Sequence, residues 1–211
     1  MGPLLKHPAP RNVAVAARAA DNLNFIRSTM ERSGLFTALP GSAGVLLGLD
    51  GIAAAILGSR AGSREQWLAI WIGAAFLGLS IGLWSVARRA RQLSVPLTRG
   101  PARSFAIGLA VPLMAGALLT GALWRYGAFG AMPATWMLLY GSALLSAGTF
   151  SLRRVRTMGA AFFVAGALSL CTPMSPLGWG TNGLLALTFG GLHLVFAGLV
   201  ARDAQVEARH G

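Results

Sequence analysis

The chain has 211 residues, of which 55% are hydrophobic and 11% charged, and its formal net charge is +12. Soluble domains carry about 25% charged residues, so this composition excludes an ordinary water-soluble domain. The basic excess alone would suit a nucleic-acid-binding protein, but basic and aromatic residues are not interleaved in any solvent-facing patch. We therefore expect the lipid bilayer, and no nucleic acid, as the partner of this chain.

Residues 1–40 differ from the rest and are predicted to form a cytoplasmic arm. Asp21 can cap a helix that runs to Ser33, where Gly34 suits the end. The apolar residues of this segment share one face, and most of its charged residues lie on the other: Leu23, Ile26 and Met30 against Arg27, Glu31 and Arg32. This pattern predicts an amphipathic helix at about 21–33 on the cytoplasmic leaflet, with a solvated arm as the alternative.

Six apolar runs of membrane-spanning length follow the arm. They cover residues 42–59, 67–87, 104–124, 134–152, 157–171 and 183–201. Each run is predicted to be a helix, because open sheet edges cannot face lipid. The fold class expected is an all-α integral membrane protein, a six-helix transmembrane domain over residues 41–201 with a cytoplasmic tail at 202–211.

Basic residues are distributed unevenly among the segments that connect these runs. Fifteen of the eighteen lie before the first run, after the second, after the fourth or after the sixth, and the other connections hold only Arg60, Arg64 and Arg125. This is the positive-inside pattern, and it predicts that both termini are cytoplasmic.

Five tryptophans fall at or near the predicted outer ends of the runs: Trp67, Trp71, Trp124, Trp136 and Trp179. Indole rings favour the headgroup level of a bilayer, so these residues are predicted to form an aromatic belt at the outer interface. An outer aromatic binding surface is the alternative.

Small residues four apart predict close packing of helices in the first two runs. Gly44 and Gly48 form one such pair, and Gly78 and Gly82 form another. The second pair also matches the G-x-S-x-G pattern of hydrolases around Ser80, but that motif requires a strand-to-helix turn. No catalytic residue is therefore predicted.

Asp50 and His193 are the ionisable residues predicted to lie deep in the membrane. Each lies eight residues from the inner end of its run, which at 1.5 Å per residue is about 12 Å from the cytoplasmic surface. An ionised Asp at the centre of a span costs about 2.5–3.5 kcal/mol, so Asp50 needs a partner, an interior position or a proton. A polar pair with His193 is predicted if the first and last spans are neighbours, and Ser80 could join it.

Three interpretations of Asp50 stay open: a structural pair with His193, a proton or cation site in a small transporter, and an unpaired, protonated side chain. No metal-ligand spacing such as H-E-x-x-H occurs. His7 and His210 lie in the tails, so a haem held by two histidines at membrane depth is excluded. No cofactor is predicted; a tetrapyrrole with His193 as its single axial ligand is the weaker alternative.

Two segments carry a family resemblance. "DNLNFIRSTMERSGLFTALPGSAG" at 21–44 and "FGGLHLVFAGLVAR" at 189–202 resemble the N-terminal segment and the ending of a family of bacterial multi-pass membrane proteins. The resemblance implies a six-span layout in the bacterial cytoplasmic (inner) membrane and implies no activity. From all of this we expect an accessory, regulatory or complex-forming membrane subunit, associated with a protein partner or with itself.

Overall fold

The computed structural model describes residues 21–22, 41–92, 100–148, 153–171 and 179–210. From residue 41 onward, the described ranges contain seven α-helices: α1 Gly41–Ser59, α2 Arg64–Gln92, α3 Gly100–Arg125, α4 Met132–Ala147, α5 Arg153–Leu170, α6 Trp179–Leu185 and α7 His193–His210. A short 3₁₀ turn, Phe129–Ala131, precedes α4, and a π-helical segment, Ala186–Leu192, joins α6 to α7. The described ranges contain no strand, so the predicted all-helical architecture is found there. Except for Asp21 and Asn22, the predicted amphipathic helix lies outside these ranges.

Four helical stretches are long and apolar enough to cross a membrane: Gly41–Ser59, Arg64–Gln92, Phe105–Arg125 and Gly180–Arg202. They coincide with the first, second, third and sixth predicted spans. The fourth and fifth predicted spans correspond to shorter helices, α4 with 16 residues and α5 with 18. The fourth predicted span, residues 134–152, extends past the C-terminal end of α4 at Ala147. The fifth begins earlier than predicted, and arginines occupy its first turn.

The helices form two groups of three. In one group, α1 lies between α2 and the continuous α6–π–α7 element, and in the other, α4 lies between α3 and α5. The π segment also touches α5, so the groups meet along the last element. Side chains join them further: the guanidinium of Arg64 lies 4.7 Å from the centre of the Phe129 ring, and Arg154 donates to the Leu199 carbonyl.

Glycines bring α1 against the last element. A Cβ at Gly51 would stand 2.7 Å from the carbonyl carbon of Phe189, and one at Gly48 would stand 2.6 Å from Leu194 Cγ. At Gly44 it would lie 3.0 Å from the Ala197 Cβ. The first and last helices are therefore neighbours, with backbone close to backbone along this face.

The π segment is the main irregularity of the last element. Thr188 is buried, and its hydroxyl donates to the Leu184 carbonyl at 2.9 Å. The His193 backbone N–H donates to the Gly190 carbonyl and not to the Phe189 carbonyl, its ordinary α-helical partner. The Phe189 carbonyl can therefore accept a bond from a side chain, and π segments often occur where a helix carries a functional group.

Candidate functional site

His193 lies inside the bundle at the start of α7, and both of its ring nitrogens have partners. Nδ1 is 2.7 Å from the Phe189 carbonyl oxygen, and Nε2 is 2.8 Å from the Tyr140 hydroxyl of α4. A carbonyl oxygen can only accept, so Nδ1 carries a proton; in the neutral imidazole Nε2 then accepts from the Tyr140 O–H. The bond to Tyr140 connects the two helix groups.

Aromatic rings enclose this hydrogen-bonded pair. The Phe162 ring of α5 lies 4.8 Å from Tyr140, 5.0 Å from Phe189 and 5.7 Å from the imidazole, as measured between ring centres. These separations are those of favourable edge-on and tilted ring contacts. In the described part of the chain, no group of three His, Cys, Asp or Glu side chains is placed to hold a metal ion.

The structure does not bring Asp50 and His193 together. Tyr140 and Phe189 occupy the two imidazole nitrogens, whereas the Asp50 carboxylate points towards α2, where a Cβ at Gly78 would stand 3.4 Å from Oδ2. The predicted pair is therefore wrong. The first and last helices are neighbours, as this pair requires. However, successive residues of a helix are turned by about 100°, and it is Gly51, not Asp50, that faces the last element.

Ser80 is also absent from any polar cluster at this level. It is exposed on α2, and its hydroxyl donates to the Phe76 carbonyl of its own helix at 2.8 Å. The prediction of Ser80 as a third partner is wrong, because the side of α2 that meets α1 carries Gly78 instead.

Asp50 is half-buried at the seam between α1 and α2. No hydrogen bond or salt bridge joins it to another described residue. Its neighbours on the outer side of α1 are apolar and exposed: Leu46, Leu49 and Leu57. The carboxylate thus borders a surface that faces away from the bundle.

A second buried polar group lies at the other end of the bundle. Asn182 of α6 is fully buried, and its Oδ1 accepts from the indole N–H groups of Trp67 at 3.0 Å and Trp71 at 3.1 Å. A Cβ at Gly58 would stand 2.6 Å from that oxygen, so the glycine allows α1 to approach the amide. Trp136 of α4 stacks on Trp67 with ring centres 5.4 Å apart and an angle of 8° between planes.

These contacts correct the interpretation of the tryptophans. Trp67 and Trp71 are 1% and 6% exposed, so they lie inside the bundle and not in an aromatic belt or on an outer binding surface. Trp136 is half-buried and donates to the Thr120 hydroxyl at 2.8 Å. Trp124 packs edge-on against Phe129 with ring centres 4.9 Å apart. The side chain of Trp179 lies outside the described part.

The glycines predicted to pack helices are placed differently from one another. Gly44 and Gly48 lie against the last element, and a Cβ at Gly78 would stand 3.3 Å from Leu47 of α1. Nothing lies within 4 Å of a Cβ at Gly82, so this glycine brings no helix close.

Tyr140 and Asn182 were not singled out by sequence reasoning, although both form hydrogen bonds to other helices. Each offers a signal: Tyr140 is a hydroxyl-bearing ring in the middle of a predicted span, and Asn182 is an amide directly before one. Buried polar groups are hydrogen-bonded, so such residues in apolar runs point to partners on other helices.

Comparison of the whole chain with protein-family models, with curated proteins and with solved structures finds no match.

Proposed function

We propose that this chain is a six-span protein of the bacterial cytoplasmic (inner) membrane that has no enzymatic activity and serves as an accessory or regulatory subunit of a membrane complex. Both termini are cytoplasmic in this arrangement. Four membrane-length apolar helices support residence in a bilayer. The six-span count is supported by the packing of α4 and α5, whose 16 and 18 residues extend about 24 and 27 Å.

The close approach of α4 to α5 favours a shared environment for these two helices and the rest of the bundle. A Cβ at Gly141 would stand 2.6 Å from the Phe163 backbone nitrogen, and one at Gly166 would stand 2.7 Å from the Leu138 nitrogen. Helices held together by small residues with their backbones in contact are typical of membrane interiors, where the hydrophobic effect does not drive helix association.

The Asp50 carboxylate is the single observation that carries the proposed role. It is unpartnered among the described residues and borders the exposed apolar surface of α1. A charge at this depth costs about 2.5–3.5 kcal/mol unless a partner compensates for it. A basic or hydrogen-bond-donating residue on a membrane helix of another protein would supply that compensation, so we propose that the partner docks over Asp50.

The other interpretations receive less support. A proton- or cation-coupled transporter was expected to use Asp50 together with His193, but the His193 imidazole is bound to Tyr140 and Phe189. A tetrapyrrole ligated by His193 would have to displace the Tyr140 hydroxyl from Nε2. Nothing in the described part of the chain favours the transporter or the tetrapyrrole-binding protein over a subunit role.

The test compares wild type with Asp50→Leu and with the matched control Ser80→Ala, which alters an exposed polar residue at a similar depth. Each is purified from native membranes in a mild detergent, and the co-purifying proteins are identified. We expect a partner that is retained by wild type and by Ser80→Ala and lost from Asp50→Leu. Asp50→Leu should itself fold, because it removes an uncompensated charge.

Identical co-purifying proteins in all three preparations would contradict the proposed role of Asp50. Proton uptake into liposomes by the purified wild type, abolished in Asp50→Asn, would instead favour the transporter.

A further inference from the structure

The end of α2 that carries its arginines holds two polar atoms with unmet hydrogen-bonding capacity. Ser85 is 2% exposed, and its hydroxyl oxygen has no hydrogen-bond partner among the described residues. Arg89 lies four residues later, on the same face of the helix, and its Nε is likewise buried and unpartnered. Buried polar atoms nearly always have partners, so this pair points to a ligand.

Ser85 differs from other hydroxyl-bearing residues of the helices. Hydroxyls elsewhere donate to the carbonyl oxygen four residues earlier at 2.7–2.8 Å: those of Ser80, Thr120, Thr135 and Ser142. Such local bonds satisfy a hydroxyl inside an apolar helix. The Ser85 hydroxyl makes no such bond, so its hydrogen-bonding capacity is unmet within the described part of the chain.

No salt bridge to a described side chain compensates the charge of Arg89 at this end of α2. Asp50 lies beside Gly78, eleven residues before Arg89, or about 16 Å along the helix. Glu65 is at the opposite end of the 29-residue helix. A guanidinium only donates hydrogen bonds and a hydroxyl can donate one, so the complementary ligand is an anion with several oxygen atoms, such as phosphate.

The surroundings place this pair at the boundary between lipid and water. Trp84 is 57% exposed, and the Arg88 guanidinium lies 5.4 Å from the centre of its ring. Exposed tryptophan and arginine at the end of an apolar helix mark the headgroup level of a bilayer. Gly82 precedes Ser85 by three residues, and a Cβ there would meet nothing within 4 Å, so the surface of α2 next to this pair is open at Gly82.

We propose that Ser85 and Arg89 bind the phosphate group of an anionic phospholipid. The Ser85 hydroxyl and the Arg89 Nε–H each donate to a phosphate oxygen, and the acyl chains extend along the exposed apolar surface of α2. This site is independent of the Asp50 surface and of the proposed subunit role.

The test measures lipid binding to the purified full chain in detergent by native mass spectrometry. Phosphatidylglycerol is titrated onto wild type, Ser85→Ala, Arg89→Gln and the control Arg91→Gln, which removes the same charge from an exposed position two residues away. Hydrogen bonds to charged groups contribute about 1.5–3 kcal/mol, so Ser85→Ala and Arg89→Gln should each weaken binding about tenfold or more. Arg91→Gln should bind like wild type. Phosphatidylcholine should bind more weakly than phosphatidylglycerol to wild type, because its choline cation offsets the phosphate charge.

Three results would overturn the proposal. Wild-type affinity in Ser85→Ala, which loses a single oxygen atom and is expected to fold even if Arg89→Gln does not, would remove the site. Equal losses in Arg89→Gln and Arg91→Gln would reduce it to nonspecific attraction. Protection of wild type against heat by inorganic phosphate, at an ionic strength matched with chloride and without added lipid, would assign the same residues to free phosphate.

Discussion

At His193, two hydrogen bonds determine what the imidazole can do. Phe189 accepts from Nδ1 and Tyr140 donates to Nε2, so neither nitrogen is left for Asp50 or for a ligand. Asn182 is satisfied in a comparable way, with its oxygen shared by two indole N–H groups. These side chains stabilise contacts between helices, whereas Asp50, Ser85 and Arg89 have polar atoms without a partner among the described residues.

The Tyr140–His193 bond is expected to appear as an energetic coupling. Tyr140→Phe keeps the ring and removes only the hydroxyl, which leaves Nε2 without a donor. Membrane hydrogen bonds contribute about 0.6 kcal/mol on average and at most about 1.7 kcal/mol. A double-mutant cycle of Tyr140→Phe with His193→Leu, measured as the free energy of unfolding in mixed micelles, should give a coupling within that range.

Asp50→Asn provides the control for this cycle. Combined with His193→Leu, it should be additive within about 0.5 kcal/mol, because residues that share no contact do not couple. If the coupling energy between Asp50 and His193 exceeded the coupling energy between Tyr140 and His193, it would contradict the observed hydrogen bonds. It would instead support the predicted Asp50–His193 pair.

Sequence reasoning about single residues predicts a height along the helix but not the direction of the side chain. Counting from the span ends gave Asp50 and His193 a common level, but their angular positions depend on how each helix is rotated in the bundle. The tryptophans show the same limit: the preference of indole for interfaces predicts their level, and only tertiary packing decides that Trp67 and Trp71 turn inwards to Asn182.

Among the elements, the α1–π contact is, like the α4–α5 contact, a place where helix backbones meet without side chains between them. Gly51 faces Phe189, and Gly190 faces Ile52, where a Cβ would stand 2.6 Å from Cγ1. The π segment displaces the carbonyls of the last helix, so a smooth α-helix would not present this surface. Interlocking glycines on both sides therefore fix the register of α1 against the last element.

Gly51→Ala should disrupt this contact. The added methyl would stand 2.7 Å from the Phe189 carbonyl carbon and 2.8 Å from the Gly190 nitrogen, and backbone atoms cannot rotate away. Overpacking of this kind costs about 1–3 kcal/mol, which should appear as a lower unfolding temperature in detergent.

Gly121→Ala is the matched control for Gly51→Ala. It lies in α3, and nothing stands within 4 Å of its added Cβ. Since alanine favours helix over glycine by about 1 kcal/mol, this change should be neutral or stabilising. A Gly51→Ala variant as stable as Gly121→Ala would mean that α1 and the last element are not in backbone contact.

Element positions followed from the sequence where apolar runs were long and bounded by charge, as for α1, α2 and α3. The boundaries of α4 and α5 did not, because the run at 134–152 continues past Ala147 without a strong stop signal. The glycines that pack these two helices, Gly141, Gly159 and Gly166, were not singled out, since they stand on different runs and only the fold pairs them.

The molecule as a whole joins two groups of three helices through a narrow set of aromatic contacts. Trp67 stacks on Trp136 at one end, and His193 meets Tyr140 and Phe162 deeper in the bundle. The remaining surfaces of α2 and α3 are largely apolar and exposed, with only 11% and 6% of their most apolar stretches buried. A surface of this kind is stable only against lipid or against another membrane helix.

Reporter insertions that keep the full chain test how this molecule crosses the membrane. With both termini cytoplasmic and six spans, reporters placed after Arg91 and Arg156 should be active on the cytoplasmic side, and those near Gly62, Gly127 and Gly178 on the external side. The physical reason is the charge distribution: arginines occupy the end of α2 and the start of α5. The opposite connections hold three in all, Arg60, Arg64 and Arg125.

The decisive position is Gly178, after the shortest predicted span. An external signal there requires α5 to cross the bilayer although arginines occupy its first turn, which is feasible when long arginine side chains extend to the interface. A cytoplasmic signal at Gly178 together with one at Arg156 would leave α5 on one side and give five crossings at most. The last helix would then begin on the cytoplasmic side and carry the C-terminus outwards, against the positive-inside pattern.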